Sequence, residues 1–261
     1  MTYVYRSTVR NSKRKSRTTS KRQRQSQRQK QSQKHKETQR HLDKESQRQS
    51  IVNKKYVNEL MRLYTACKHD ENRYETNTNY SLHKTTYGEM DYVGIEQLFM
   101  RELKRLHPIV DIAKIHTFMD IGSGRGKLCL WMAAQPSIKT SIGVELVKSR
   151  HEDAVGLQSK LSATYPEITE KVVFLNENVL MVDLKSMTKS SGVAFVWFSN
   201  LCFDQEVTND IFQKLARELP KGSFICCSKQ PSIHIGELLG SAPIKMSWMD
   251  GSQVFVYQTN G

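Results

Sequence analysis

Two acids and three glycines carry the first chemistry in this sequence. Asp120 lies in a short apolar run, Phe118-Met119-Asp120-Ile121. Gly122, Gly124 and Gly126 follow it, and Glu145 closes a second short run, Ser141-Ile142-Gly143-Val144. Closely spaced glycines after a strand let the backbone approach a ligand where a side chain would collide. An ionised carboxylate only accepts hydrogen bonds, so Glu145 suits a ribose diol. A dinucleotide-binding turn is spaced G-x-G-x-x-G. The tighter G-x-G-x-G found here, with an acid before it and another at the end of the next strand, is the signature of enzymes that use S-adenosylmethionine (SAM). Asn200 in Ser199-Asn200-Leu201-Cys202-Phe203, Asn178-Val179 and Ser247-Trp248 are further candidates, because each follows an apolar run or precedes a turn.

These residues need a frame. Lys127 to Ala134, with Leu128, Trp131 and Met132 at helical spacing, joins the two apolar runs into strand, glycine turn, helix and strand. His151 to Tyr165 reads as a helix, Lys171 to Leu175 as a third strand and Val193 to Phe198 as a fourth. Glu206 to Leu219 reads as a helix and Ser223 to Cys227 as a fifth strand. The segment KMSWMDGSQVFVYQ has an Asp250-Gly251 turn signal between two apolar runs, which predicts a closing hairpin. The expected fold is therefore α/β, a Rossmann-like class I SAM-dependent methyltransferase with a mixed seven-stranded sheet. In such open sheets the ligand lies beyond the carboxyl ends of the strands, where the candidates above should meet.

Ahead of this core, Val93, Ile95, Leu98, Phe99 and Leu103 predict an amphipathic helix up to about Leu106, and a first helix is expected from Ile51. Residues 51–110 would form a helical lead-in containing the Tyr87-Gly88-Glu89 loop, and residues 111–261 the SAM-binding core.

Residues 1–50 are different. They hold sixteen Lys and Arg against three Asp and Glu, nearly all of the chain's net charge of +14. Almost nothing apolar accompanies the charge, so a disordered basic tail is expected. Its cations would release counterions from a phosphate backbone, giving salt-sensitive binding to DNA. Lys13-Arg14-Lys15 and Lys21-Arg22 could serve as a nuclear address. Five cysteines without C-x-x-C spacing and eight scattered histidines suggest no disulfide framework and no metal site. No apolar run approaches the roughly 20 residues of a membrane span.

The combination Tyr87-Gly88-Glu89, D-x-G-S-G-x-G over 120–126, Gly143-Val144-Glu145, N-x-x-F-x-x-E-V over 200–207, Ser228-Lys229 and Ser247-Trp248 resembles the disruptor-of-telomeric-silencing family. These are histone lysine methyltransferases without a SET domain that act on the globular core of histone H3 in nucleosomes. The resemblance covers roughly residues 56–258. It implies SAM as cofactor, held by Asp120, Gly122, Gly124, Gly126 and Glu145, with Tyr87, Gly88 and Glu89 covering its methionine end. It places Lys127 where the family has a glutamine on the cofactor, and Asn178-Val179 where it has an Asp-Phe pair near adenine. Asn200 would position the methyl group and the incoming amine, with Tyr87, Phe203 and Trp248 beside it in the catalytic set. A nucleosomal partner, DNA contact through the tail, a nuclear location and a monomer are implied as well.

Plainer roles compete for the same residues. Asp120 could cap the turn, Asn200 could cap the helix near Glu206, and Tyr87, Phe203 and Trp248 could be core aromatics. A different enzyme is also conceivable: an RNA cytosine-5 methyltransferase would use Cys202 and Cys227, although acid-Ala-Pro is absent before Cys202. Adenine amino methylation would need an N-P-P-Y-like motif after the fourth strand, and there is none. A nucleic-acid-binding protein on an inactive methyltransferase fold would not need an intact turn with both acids.

Overall fold

A computed structural model describes residues 52–66, 90–188, 192–247 and 249–260. Apart from residues 52–54, all of these belong to the compact unit Lys55–Gly261. The basic segment 1–50, Ile51, the Tyr87-Gly88-Glu89 triplet and Trp248 lie outside the described residues.

The sheet has seven strands in the order β3-β2-β1-β4-β5-β7-β6. They are β1 (Ile115–Ile121), β2 (Thr140–Glu145), β3 (Val172–Asn176), β4 (Val193–Phe198), β5 (Phe224–Cys227), β6 (Glu237–Ile244) and β7 (Ser252–Gln258). The first five run parallel; β7 is antiparallel to both β5 and β6. Parallel strands need helices on both faces, so the central β4 reads as a continuous apolar run. Every residue of Val193–Phe198 except the first is buried.

Side chains alternate across β1. Short helices α6 (Pro166–Thr169) and α7 (Leu184–Thr188) precede β3 and β4. Met119 and Ile121 join Val196, Phe198 and Ile225 under helix α8 (Gln205–Glu218), which contributes Ile211, Phe212 and Leu215 to that layer. Phe118 faces the other way and stacks on Phe195, whose ring also meets Phe99 edge-on. On that face lie α1 (residues 52–66) and α4 (Lys127–Ala133), where the buried Tyr56 hydroxyl donates to the Leu130 carbonyl at 3.0 Å.

The lead-in helix runs from α2 (Tyr92–Gln97) through a π turn (Leu98–Glu102) into α3 (Leu103–Leu106). Ile95, Leu98, Phe99, Glu102 and Leu103 lie on its buried side, the stripe that helical spacing predicts. This helix covers the outer edge of β6. Gln97 Nε2 donates to the Pro243 carbonyl at 3.2 Å, and Arg105 to the Ser241 carbonyl at 3.0 Å. Gly94 lies so near the Lys245 carbonyl that a Cβ would overlap it. The carbonyls of an edge strand are thereby satisfied rather than offered to another chain.

The closing hairpin differs from its sequence expectation. Its first strand is Glu237–Ile244, upstream of the Lys245-Met246 run, and Ile244 pairs with Ser252. Asp250-Gly251 is a turn inside the longer connection rather than a two-residue hairpin loop, with Gly251 at φ 79°.

Candidate active site

The cofactor side of the site is built from consecutive pieces of β1, the glycine turn and β2. Gly122 and Ser123 donate their N–H groups to the Val144 carbonyl at 2.9 and 3.1 Å, folding the turn over the end of β2. Glu145 then ties the turn down. One carboxylate oxygen accepts from Gly124 N–H at 2.8 Å, and the other from Val147 N–H at 2.8 Å. Each oxygen has a second acceptor direction beyond these bonds, as two hydroxyls of a diol require. Asn176, at the end of β3, donates to the carbonyls of Glu145 and Leu146 at 2.9 and 3.1 Å. It fixes the strand end that presents the carboxylate, a part no sequence motif indicated.

Asp120 is buried near the end of β1 and pairs in register with Gly143. Its carboxylate acts on Cys129 of α4, whose thiol is pushed well up, first by burial and then by this neighbouring charge. The glycines divide their work. At Gly122 (φ 76°) a Cβ would have, among the described residues, the Phe203 ring at 3.8 Å as its near neighbour, an ordinary van der Waals contact. At Gly126 (φ 75°) a Cβ would overlap the Phe174 ring and come within 2.9 Å of Ala154. There the missing side chain serves the packing of β3 and α5 (Lys148–Ser162) against the turn.

Asn178 and Val179 follow β3. The Asn178 side chain accepts from Leu180 N–H at 3.0 Å and caps a 3-10 turn, while Val179 is buried in the core layer. Lys127 opens α4, and its ammonium sits over the Tyr64 ring of α1 at 5.2 Å from the centroid.

The opposite side of the site is built from the ends of β4 and β5. Asn200 is fully buried two residues beyond β4. Its oxygen accepts from the N–H groups of Ser228 (3.1 Å) and Lys229 (2.8 Å), and its nitrogen donates to the Lys229 carbonyl at 2.8 Å. Asn200 does not cap α8, whose N-cap is Asp204. Phe203 packs edge-on against Phe198 at 5.0 Å and reaches toward Gly122, so it connects the two sides.

Tyr87, Gly88, Glu89 and Trp248 are outside the described residues, but the chain flanking them is not. Met90 forms an antiparallel bridge with Met246, both buried, and Asp91 pairs with Lys245 at 3.9 Å. The residue after Glu89 and the residue two before Trp248 are thus neighbours.

The cysteine candidates separate. Cys227 is buried within β5 and burial pushes its thiol up to about 12, while Cys202 is partly exposed after β4.

A parallel sheet with one reversed strand, β7, set between β5 and β6, and with a glycine turn and an acceptor carboxylate at adjoining strand ends, defines a class I SAM-dependent methyltransferase. The residues fit that cofactor: each Glu145 oxygen keeps an acceptor direction that a diol could use, and among the described residues nothing crowds the Gly122 backbone. The family model for histone methylation protein DOT1 matches residues 64–235, and the chain belongs to that family. SAM is its cofactor.

Among solved structures, the chain is similar to the rRNA methyltransferase aviRa from Streptomyces viridochromogenes, with 12% identity, a TM-score of 0.45, and coverage of 66% of this chain and 86% of that one. It is similar to an RNA methyltransferase from Salinibacter ruber in complex with S-adenosyl-L-homocysteine, at 14% identity and TM-score 0.42, covering 61% and 90%. A putative methyltransferase, yhhF from Escherichia coli, shares 15% identity at TM-score 0.42, covering 63% and 87%. No curated protein matches the sequence.

Proposed function

We propose that this protein transfers methyl groups to a lysine side chain in the globular core of histone H3 on nucleosomes. The observation that carries the reading is the family match across residues 64–235, which spans both sides of the site from α1 to the loop after β5. When bound, SAM supplies an electrophilic methyl group on a sulfonium. Glu145 would hold its ribose, the backbone of Gly122 and Gly124 its amino-acid portion, and Asp120, Lys127, Asn178 and Val179 would border it. Tyr87, Gly88 and Glu89 would cover its methionine end.

On the acceptor side, Phe203, Tyr87 and Trp248 would wall a channel for the lysine. An aromatic channel removes water from the ammonium and lowers its pKa, favouring the neutral amine, which alone has the lone pair to attack. The bonds Asn200 makes to Ser228 and Lys229 support a role in setting the shape of that channel's floor. What remains is alignment of the amine with the methyl group, a contribution of position rather than of acid–base chemistry. The basic segment 1–50 would hold the enzyme to nucleosomal DNA, with the nucleus as its place of action and a monomer as its working form.

The cytosine-5 reading needs two working thiols. The burial of Cys227 and its raised thiol pKa argue against one of them. The test is methyl transfer from radiolabelled SAM to nucleosomes, free histones and total RNA in parallel, with Asn200→Ala and Cys202→Ala/Cys227→Ala proteins alongside. Label in nucleosomal H3 that is lost with Asn200 and kept without the cysteines is expected. Label in RNA that disappears with the cysteines would replace this function with the cytosine-5 one. Deleting residues 1–50 should weaken nucleosome binding and flatten its salt dependence while SAM affinity is retained.

A further inference from the structure

The glycine turn carries two cations: Arg125, to which the proposed chemistry gives no role, and Lys127, which it places only at the border of the cofactor. Arg125 sits between Gly124 and Gly126, Lys127 begins α4, and both are buried. One aromatic ring receives both. The Arg125 guanidinium carbon lies 4.5 Å from the centroid of Tyr64, and the Lys127 ammonium 5.2 Å from it. Arg125 Nε is also 3.5 Å from the Asp153 carboxylate on α5. Three elements distant in sequence, α1, the turn and α5, meet around two positive charges.

That arrangement bears on a cofactor that is itself a cation at its sulfur. Arg125 and Lys127 stand one and three residues from Gly124, within about 4 to 11 Å along the chain. At buried positions salt screens such charges weakly, so each adds a repulsive contribution toward a sulfonium held at the turn, opposed by the buried carboxylates of Asp120 and Glu145. An aromatic face is negative and attracts cations, and a carboxylate offsets a full unit of charge. We propose that Tyr64 and Asp153 are positioning residues that hold Arg125 and Lys127 and offset their charge. In doing so they set the preference of the site for SAM over its product, S-adenosylhomocysteine. Cofactor and product differ by one methyl group and one positive charge. A loosened turn weakens both ligands equally, whereas lost charge compensation weakens only the cation.

The experiment measures Kd for SAM and for S-adenosylhomocysteine by calorimetry on the full chain. It compares wild type with Tyr64→Phe, Tyr64→Leu and Asp153→Asn; no methyl acceptor is present, so the result is independent of the lysine assignment. Tyr64→Phe keeps the ring and should leave the ratio of the two constants within about twofold. Tyr64→Leu should raise Kd for SAM relative to S-adenosylhomocysteine by about tenfold, and Asp153→Asn by about threefold. Equal weakening of both ligands, or an unchanged ratio in both variants, overturns the proposal. Should Tyr64→Leu fail to fold in a thermal melt, Asp153→Asn decides alone. Its side chain is partly exposed on a helix, and an unchanged ratio there is equally fatal.

Discussion

The two sides of the site are held by the same device put to different ends. On the cofactor side, a strand-end carboxylate, Glu145, grips the glycine turn through Gly124 N–H, 21 residues away in sequence. On the acceptor side, a strand-end carboxamide, Asn200, grips the Ser228–Lys229 turn, 28 and 29 residues away. Glu145 accepts only, so it has capacity left for a ligand after binding the protein. Asn200 spends both oxygen and nitrogen on one turn and is fully buried. On the proposed function, the first side would recognise a ligand through acceptor capacity kept in reserve, whereas the second would fix a shape.

On that contrast, the greatest damage comes from breaking the shape. Asn200→Ala would strand the buried N–H of Ser228, worth about 1–3 kcal/mol when unsatisfied, and release the part-buried N–H of Lys229. A displaced floor should cut kcat about 100-fold while SAM affinity stays near wild type, read by turnover assays and calorimetry. Similar losses in both would erase the contrast. Glu145→Gln should do the reverse, weakening SAM binding about tenfold, the equivalent of one charge-assisted hydrogen bond. Its effect on turnover at saturating SAM should be smaller.

Two weaker substitutions sharpen the comparison at its supports. Gly126→Ala forces a side chain to φ 75° against Phe174, which should cost about 1–2 kcal/mol from the backbone alone. Adding Phe174→Leu should recover part of any excess over that figure in denaturant unfolding. Behind the acceptor side, Glu218 closes α8. Its burial works against ionisation, but hydrogen bonds from Lys214 and Arg217 hold its pKa below the usual value. The stability it contributes is present at neutral pH and is lost as pH falls through that lowered value. Glu218→Gln should therefore reduce stability at pH 7 by about 1 kcal/mol or less and have little effect in acid, as thermal melts at both pH values would reveal.

The sequence was readable where structure is local. Val193–Phe198 is an uninterrupted apolar run buried on both faces, and it is a strand over those very residues. The glycine turn and Glu145 belong to one β-α-β stretch, so their spacing alone indicated how they meet. β6 was not readable, because ELLGSAPI contains a glycine and a proline and alternates irregularly in exposure. Proline is tolerated there because the strand is at the edge of the sheet. Asn200 and Ser228-Lys229 were each visible as motifs, but nothing short-range announced that one clasps the other. The Tyr64, Arg125 and Asp153 cluster is assembled from three elements, and no spacing rule connects them.

The fastening of the lead-in to the closing hairpin has a consequence for how this protein could be altered as modules. Met90 bridges Met246, Asp91 pairs with Lys245, and Gln97 and Arg105 reach the carbonyls of β6. The segment before the first strand is therefore moored to the closing hairpin, along β6 and the connection that follows it. A hairpin borrowed from another methyltransferase would leave the lead-in without a mooring, and a borrowed lead-in would uncover the sheet edge. The two ends are a matched set, exchangeable together but not singly.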